Sequence, residues 1–97
     1  MILEWNQAKN RSNVRKHGFD FADAEEMFRG VVVADPDTRE DYGEKRWVAL
    51  GTIRGRIAQL VFTERERDTI RIISLRKATR RESENYQKAI QNRLEES

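Results

Sequence analysis

Cysteine is absent from the chain, and histidine and proline occur once each, at His17 and Pro36. Without cysteine there is no disulfide framework or cysteine-rich zinc site, and one histidine without a spaced carboxylate pair leaves no closed metal-ligand set. The five glycines are dispersed and form no nucleotide-binding loop. No apolar run suits a signal peptide or a membrane span. We therefore expect a cytoplasmic protein of one domain, residues 1–97, with no membrane association, no metal and no cofactor.

Charge of both signs is abundant and is segregated along the chain. The net charge is only +2, although 37% of the residues are charged. Between residues 5 and 19 all the charged side chains are basic, whereas residues 35–44 carry five acidic side chains and Arg39 as the one basic side chain. A molecule built in this way can bind a polyanion with its basic region and offer its acidic region to a basic partner.

Residues 70–82, IRIISLRKATRRE, are the most informative stretch. Strand side chains alternate, so Ile70, Ile72, Ser74 and Arg76 share one face and Arg71, Ile73, Leu75 and Lys77 the other. Both faces are apolar in the middle, which predicts a central strand covered on both sides. A capping box formed by Thr79 and Glu82 then predicts the start of a helix. Five basic residues and no acidic one lie between Arg71 and Arg81. A buried strand thus ends in a cationic cluster at a helix N-terminus, where anions are attracted.

The remaining patterns predict an α+β domain in which helices pack on an antiparallel sheet of four to five strands. Asn6 and Gly18 delimit a first helix, whose thin apolar stripe consists mainly of Ala8 and Val14. Asp20 and Gly30 delimit a second helix, and Arg54-Gly55 is a hairpin turn. The predicted strands are Met1–Trp5, Val31–Ala34, Trp47–Ile53, Ile57–Thr63 and the strand from Ile70, and the helices are Gln7–His17, the segment from Asp20 to Gly30, and Arg80–Leu94.

The arginine-rich cluster points to phosphate chemistry. Guanidinium groups bind phosphate bidentately and stabilise the charge of a phosphoryl transition state. RNA supplies its own nucleophile in the 2′-hydroxyl, so cleavage needs only alignment, a proton acceptor, a proton donor and positive charge. His17 and Glu64, which precedes Arg65, are candidates for proton transfer, and Arg71, Arg76 and Arg80 are candidates for holding the phosphate.

Each candidate also has a structural explanation. His17 lies in the last turn of a helix, where a cation complements the macrodipole. Glu64 and Arg65 belong to a charged turn, and most such runs are solvated. Ser74 is small enough to be only a packed strand residue. The cluster of Arg76, Lys77, Arg80 and Arg81 is stronger evidence, because like charges at a helix N-terminus cost stability unless an anion compensates them.

Several blocks together make the chain resemble the BrnT family, the toxin half of a bacterial type II toxin–antitoxin pair. The blocks are Trp5, KHG at 16–18, Phe21, Asp35-Pro36, TER at 63–65, RIIS at 71–74, Arg76 and ATRRE at 78–82. The resemblance implies a RelE-like fold and a metal-independent ribonuclease that inhibits translation. It also implies a BrnA-type antitoxin with a ribbon-helix-helix DNA-binding dimer, through which the complex would bind and repress its own operator.

The same resemblance assigns roles to the matching positions. Catalytic roles are expected for His17, Glu64, Arg65, Ser74 and Arg76, and RNA binding for Lys16, Arg71, Arg80 and Arg81. One segment departs from the family pattern. Family members often carry a histidine-serine pair and consecutive glutamates ahead of the third strand, where this chain has DPDTREDYGEKRW. A role that the family pattern attributes to that loop is therefore not carried over to this chain.

Two alternatives from other functional classes stay open. The first alternative is a non-catalytic nucleic-acid-binding subunit of a repressor complex, whose RNA or DNA binding would fall steeply with salt. The second is an interaction module that inhibits a partner by covering it, in which case neutralising the cationic cluster would be harmless.

Overall fold

The structure is a computed structural model that describes residues 1–96. The strands are β1 Ile2–Glu4, β2 Val33–Pro36, β3 Trp47–Ile53, β4 Arg56–Arg65 and β5 Thr69–Lys77, and the helices are α1 Gln7–His17, α2 Ala24–Arg29 and α3 Arg80–Glu96. A 3₁₀ turn at Phe21–Asp23 leads into α2. The predicted α+β fold, with two helices before the main strands and one after them, is confirmed. None of the helices within residues 1–96 has the length and apolarity of a membrane span.

One five-stranded sheet has the order β1-β5-β4-β3-β2. Its last four strands are antiparallel neighbours. The turns between β3 and β4 and between β4 and β5 are short, as predicted, and the acidic loop joins β2 to β3. The Arg54-Gly55 turn has positive φ at both residues, 49° and 74°, which matches a two-residue hairpin. β1 differs from the prediction of an antiparallel sheet, because it pairs in parallel with β5. The chain between β1 and β5 is long enough for the crossover that a parallel pair needs.

The hydrophobic core lies on one face of the sheet, under α2 and the 3₁₀ turn. Its fully buried side chains are Phe19, Phe21, Met27, Ile53, Leu60 and Leu75. Gly51 of β3 permits the close approach of α2, since a Cβ atom at this position would lie 2.6 Å from Cγ of Met27. The core thus fixes α2 against the middle of the sheet.

The third helix begins on the opposite face. The predicted capping box is present, with the Thr79 amide donating to Glu82 Oε1 at 2.8 Å and the Glu82 amide donating to Thr79 Oγ1 at 3.2 Å. Tyr86 is buried, and its hydroxyl donates to the Val31 carbonyl oxygen at 2.8 Å. These contacts hold the start of α3 beside the end of β5.

The acidic loop after β2 is partly ordered by one ion pair. β2 lies two residues further along the chain than predicted, so it includes Pro36 on an edge strand, where a missing amide is tolerated. Asp37 is buried, and its carboxylate accepts two hydrogen bonds from the Arg39 guanidinium, both of 2.8 Å. These hydrogen bonds lower the pKa of Asp37 to about 2.

Candidate nucleic-acid site

The first helix is attached to the sheet by polar side chains. Asn6 caps α1 by accepting a hydrogen bond from the Lys9 amide, and Gly18 ends it with φ of 75°. The predicted apolar stripe is wrong, because Ala8 is exposed and Val14 is 42% exposed. The buried side chains of α1 are instead Asn10 and Asn13, each 7% exposed. Because asparagine is polar, apolar periodicity along the helix does not reveal that Asn10 and Asn13 are buried.

Asn13 joins α1 to the free edge of β5. Its side-chain amide donates to the carbonyl oxygens of Leu75, at 2.7 Å, and Phe19, at 3.0 Å, and its Oδ1 accepts from the Leu75 amide. Asn10 similarly accepts from the Phe21 amide and donates to Asp20. β1 pairs with β5 only at residues 69–71. Further along β5, α1 lies against the edge of the strand instead.

A β-bulge in β5 changes which side chains share a face. Val61 of β4 pairs with Ser74, but its neighbour Phe62 pairs with Ile72, so Ile73 is an extra residue. The alternation predicted from sequence is therefore wrong across this point. Ile72 and Leu75 both belong to the core, although strict alternation places them on opposite faces. The β4 partners of residues 71, 74 and 76 are residues 63, 61 and 59, which are spaced by two and so lie on one face of β4. Residues 71, 74 and 76 therefore share that face, which is opposite the core.

Beside the bulge, α1 and β5 enclose a groove of about 260 Å³, which we call the α1–β5 groove. It brings together three predicted site residues, Lys16, His17 and Ser74. Lys9 and Ser12 also line it and were missed from sequence, although the spacings of three residues from Lys9 to Ser12 and four from Ser12 to Lys16 place all three on one side of a helix. The complete lining is Lys9, Ser12, Asn13, Lys16, His17, Phe21, Ile73 and Ser74, and within residues 1–96 no acidic side chain contributes to it.

The lining gives the groove a distinct chemistry. Two lysines supply positive charge, a histidine supplies ring nitrogens for hydrogen bonding, two hydroxyls can donate or accept hydrogen bonds, and Ile73 supplies an apolar surface. The His17 side chain is exposed and forms no hydrogen bond or ion pair with any residue of the described chain. Its imidazole is therefore accessible to a ligand. An anion with an attached apolar or aromatic group fits this combination.

Arg76 lies next to the groove on the face of Ser74 and is held by a carboxylate. Its Nη1 and Nη2 donate to the two carboxylate oxygens of Glu82 at 2.9 and 3.0 Å. Gln59, which is opposite Arg76 on β4, donates to Glu82 Oε2 at 2.6 Å. The hydrogen bond from Arg76 lowers the pKa of Glu82 most, with a smaller contribution from the Thr79 amide and against the opposing effect of burial. Arg76, one member of the cationic cluster predicted at the start of α3, thus has its counter-anion within the chain.

Arg71 and Arg65 form a looser group at the other end of β5. Glu4 of β1 lies 3.7 Å from Arg71 and 3.8 Å from Arg65, and Glu44 lies 3.9 Å from Arg65. All four side chains are between one third and one half exposed. Such contacts are weak in water, so another anion can replace them at low cost.

The structure does not bring the other predicted residues to the groove. Glu64 is exposed, and regular alternation along β4 places it on the face opposite Arg71 and Arg76. Arg80 is 94% exposed and contacts only Glu84 among the described residues, and Arg81 is also exposed. No group of three or more His, Cys, Asp or Glu side chains in residues 1–96 is placed to hold a metal ion.

The fold and the groove define a small α+β protein with a basic site suited to a phosphate-containing ligand. The family model described as the ribonuclease toxin BrnT of type II toxin–antitoxin systems matches residues 5–82. The chain therefore belongs to the BrnT family of ribonuclease toxins. The crystal structure of the Brucella abortus ribonuclease toxin, BrnT, is similar, with a TM-score of 0.62 and 28% sequence identity over 82% of this chain and 100% of that chain. No curated protein matches the chain.

Proposed function

We propose that the chain is an endoribonuclease that cleaves RNA without a metal ion and inhibits translation. The observation that carries this proposal is the α1–β5 groove, where Lys16, His17 and Ser74 converge without an acidic side chain. Family membership supplies the ribonuclease class. We take the groove as the site, because it joins positive charge to a histidine, the side chain that most often serves as a general acid or base.

The proposed reaction uses the nucleophile that RNA carries. The 2′-hydroxyl oxygen attacks the adjacent phosphorus, the bond from phosphorus to the 5′-oxygen breaks, and a 2′,3′-cyclic phosphate and a 5′-hydroxyl result. His17 exchanges a proton with one of the two oxygens, and solvent water exchanges the proton of the other, so that the 2′-hydroxyl loses a proton and the 5′-oxygen gains one. Lys16 and Arg76 offset the charge that develops on the phosphate, and Ser74 donates a hydrogen bond to it.

The other predicted residues have different places in this proposal. Arg71 and Arg65 bind RNA phosphates on one side of the cleaved bond, in exchange for their weak contacts with Glu4. Arg80 and Arg81 are exposed on the first turn of α3 and bind more distant phosphates. Glu64 faces away from this surface, so we assign it no part in proton transfer.

Neutralisation by a BrnA-type antitoxin is part of the same proposal. The family is defined as one half of a toxin–antitoxin system, which supports a protein partner encoded with the toxin. We propose that this partner carries a ribbon-helix-helix domain and that the complex represses its own operator. Co-expression should restore growth, and the complex, unlike the toxin alone, should retard the operator DNA in a gel.

Induced expression tests the activity directly. Wild type, His17→Ala, Arg76→Ala and the control Glu25→Gln, which alters an exposed ion pair on α2, would be compared for growth and for total RNA on a gel. We expect arrest and degraded RNA with wild type and the control, and loss of both with the two site variants, which circular dichroism must show to be folded.

The same experiment can contradict the proposal. Normal growth and intact RNA with folded wild-type protein would favour the non-catalytic nucleic-acid-binding subunit. Arrest that persists in both site variants would show that the α1–β5 groove is not the site of toxicity.

A further inference from the structure

We infer that Gln59 and Glu82 are positioning residues that hold the Arg76 guanidinium with one edge directed toward the RNA phosphate. This inference rests on the proposed function, because it concerns how one residue of that site is oriented. It adds two residues, neither of them predicted from sequence as part of the site, that lie behind Arg76 and do not line the α1–β5 groove.

The hydrogen bonds of Arg76 leave a particular part of the guanidinium available. Of its five N–H donors, one on Nη1 and one on Nη2 bind the Glu82 carboxylate, and Nη1 also donates to the Lys77 carbonyl oxygen at 3.0 Å. The two donors left are Nε–H and the second hydrogen of Nη2. They lie on the same edge of the planar group. Two parallel donors on one edge are the arrangement that binds a phosphate bidentately.

Glu82 is itself held firmly from two further directions. Gln59, which is 7% exposed, donates to Oε2, and the Thr79 amide donates to Oε1. The carboxylate therefore accepts four hydrogen bonds from three elements, namely β4, β5 and the residue that caps α3. A flexible arginine loses conformational freedom when its charge is held in this way, so less is lost when the phosphate binds.

The ion pair of Arg76 with Glu82 also differs from the contacts that Arg65 and Arg71 make with their carboxylates. Arg65 and Arg71 approach their carboxylates at 3.7–3.9 Å, without a hydrogen bond to them, whereas Arg76 has two hydrogen bonds of 2.9 and 3.0 Å. RNA can displace the first kind of contact cheaply. The Arg76 contact is better suited to persist in the complex as the support of a phosphate-binding group.

Glu82→Gln separates positioning from helix capping. A glutamine can still accept the hydrogen bond from the Thr79 amide, but it has one acceptor oxygen for the two donors of Arg76. We expect kcat for RNA cleavage to fall by up to about 100-fold, with KM changed less, because a misdirected guanidinium weakens the transition state most. Gln59→Leu should lower kcat in the same direction by a smaller factor, and Glu25→Gln provides the matched loss of one exposed carboxylate.

A double-mutant cycle with Arg76→Ala decides whether Glu82 acts through Arg76. If it does, Glu82→Gln lowers kcat in the wild-type background and has no further effect once Arg76 is alanine. Equal losses of kcat in both backgrounds would overturn the inference, since a structural defect would act without Arg76. An unchanged kcat for Glu82→Gln would overturn it as well.

Nuclear magnetic resonance of the arginine side chains tests the positioning without cleavage. In the wild type, the Arg76 guanidinium should give resolved, slowly rotating N–H signals, identified by their loss in Arg76→Lys. Glu82→Gln should average or broaden them. Averaged signals in the wild type would overturn the inference. Absence of ribonuclease activity in a wild type with resolved signals would instead contradict the proposed function and leave the positioning confirmed.

Discussion

Substitution of Asn13 by alanine should be among the most damaging polar changes in this chain. The Asn13 side chain makes three hydrogen bonds, of 2.7–3.2 Å, to the backbone of Leu75 and Phe19. Alanine removes all three and leaves three backbone groups without partners in a buried place. It also releases the part of α1 that carries Lys16 and His17.

The expected cost follows from these contacts. A typical hydrogen bond contributes about 0.5–1.5 kcal/mol net, and the higher helix propensity of alanine returns roughly 0.5 kcal/mol. The free energy of unfolding should therefore fall by about 2–4 kcal/mol, since unpaired buried groups add to the loss. For a domain of this size the change corresponds to a decrease in Tm of roughly 10–30 °C.

Urea and thermal unfolding, followed by circular dichroism, measure this effect. Asn92→Ala is the matched control, because Asn92 is exposed on α3, and it should leave Tm unchanged or slightly raised. RNA cleavage by the Asn13 variant should also fall at temperatures where the protein is folded. A loss of stability no larger than that of the control would refute the role of Asn13 as the attachment of α1 to β5.

Three further predictions concern other parts of the molecule. Gly51→Ala should lower the free energy of unfolding by about 1–3 kcal/mol, because its Cβ would lie 2.6 Å from Met27 Cγ. In urea unfolding, Gly51→Ala should cost less in a Met27→Ala background than in the wild type. Arg39 lowers the pKa of Asp37 from 3.8 to about 2. The stability due to this ionised group should therefore be complete above about pH 4 and disappear as pH falls toward 2, and Asp37→Asn should reduce this acid sensitivity in urea titrations between pH 2 and 5. Glu64→Gln should leave RNA cleavage unchanged, and a loss of cleavage with stability retained would return Glu64 to the catalytic group.

Local signals in the sequence predicted most of the secondary structure. Asn6 and Gly18 bound α1 as expected, and the capping box of Thr79 and Glu82 begins α3. The Arg54-Gly55 turn was also predicted correctly. These features depend on residues close together in the chain, where one side chain satisfies a nearby backbone group or a glycine permits a positive φ. Such interactions require no knowledge of the tertiary structure.

The arrangement of the candidate site depends on contacts between distant residues. The bulge at Ile73 arises from the pairing of β5 with β4, and it places Arg71 on the face of Ser74 and Arg76. Alternation within one strand cannot show an extra residue in the ladder. Asn13 bonds to a residue 62 positions away, so its burial follows from the fold and not from helical periodicity. The pairing of Arg76 with Glu82 was missed for another reason, since the glutamate was considered only as a helix cap.

The chemistry at the ends of the RNA fragments tests the central proposal most directly. RNA from cells that express wild-type protein would be analysed for the groups on both sides of each new cut. Attack by the 2′-hydroxyl predicts a 5′-hydroxyl on the downstream fragment and a 2′,3′-cyclic phosphate on the upstream one, with both absent for folded His17→Ala. Fragments with a 5′-phosphate and a 3′-hydroxyl would contradict the account, because they require attack by water.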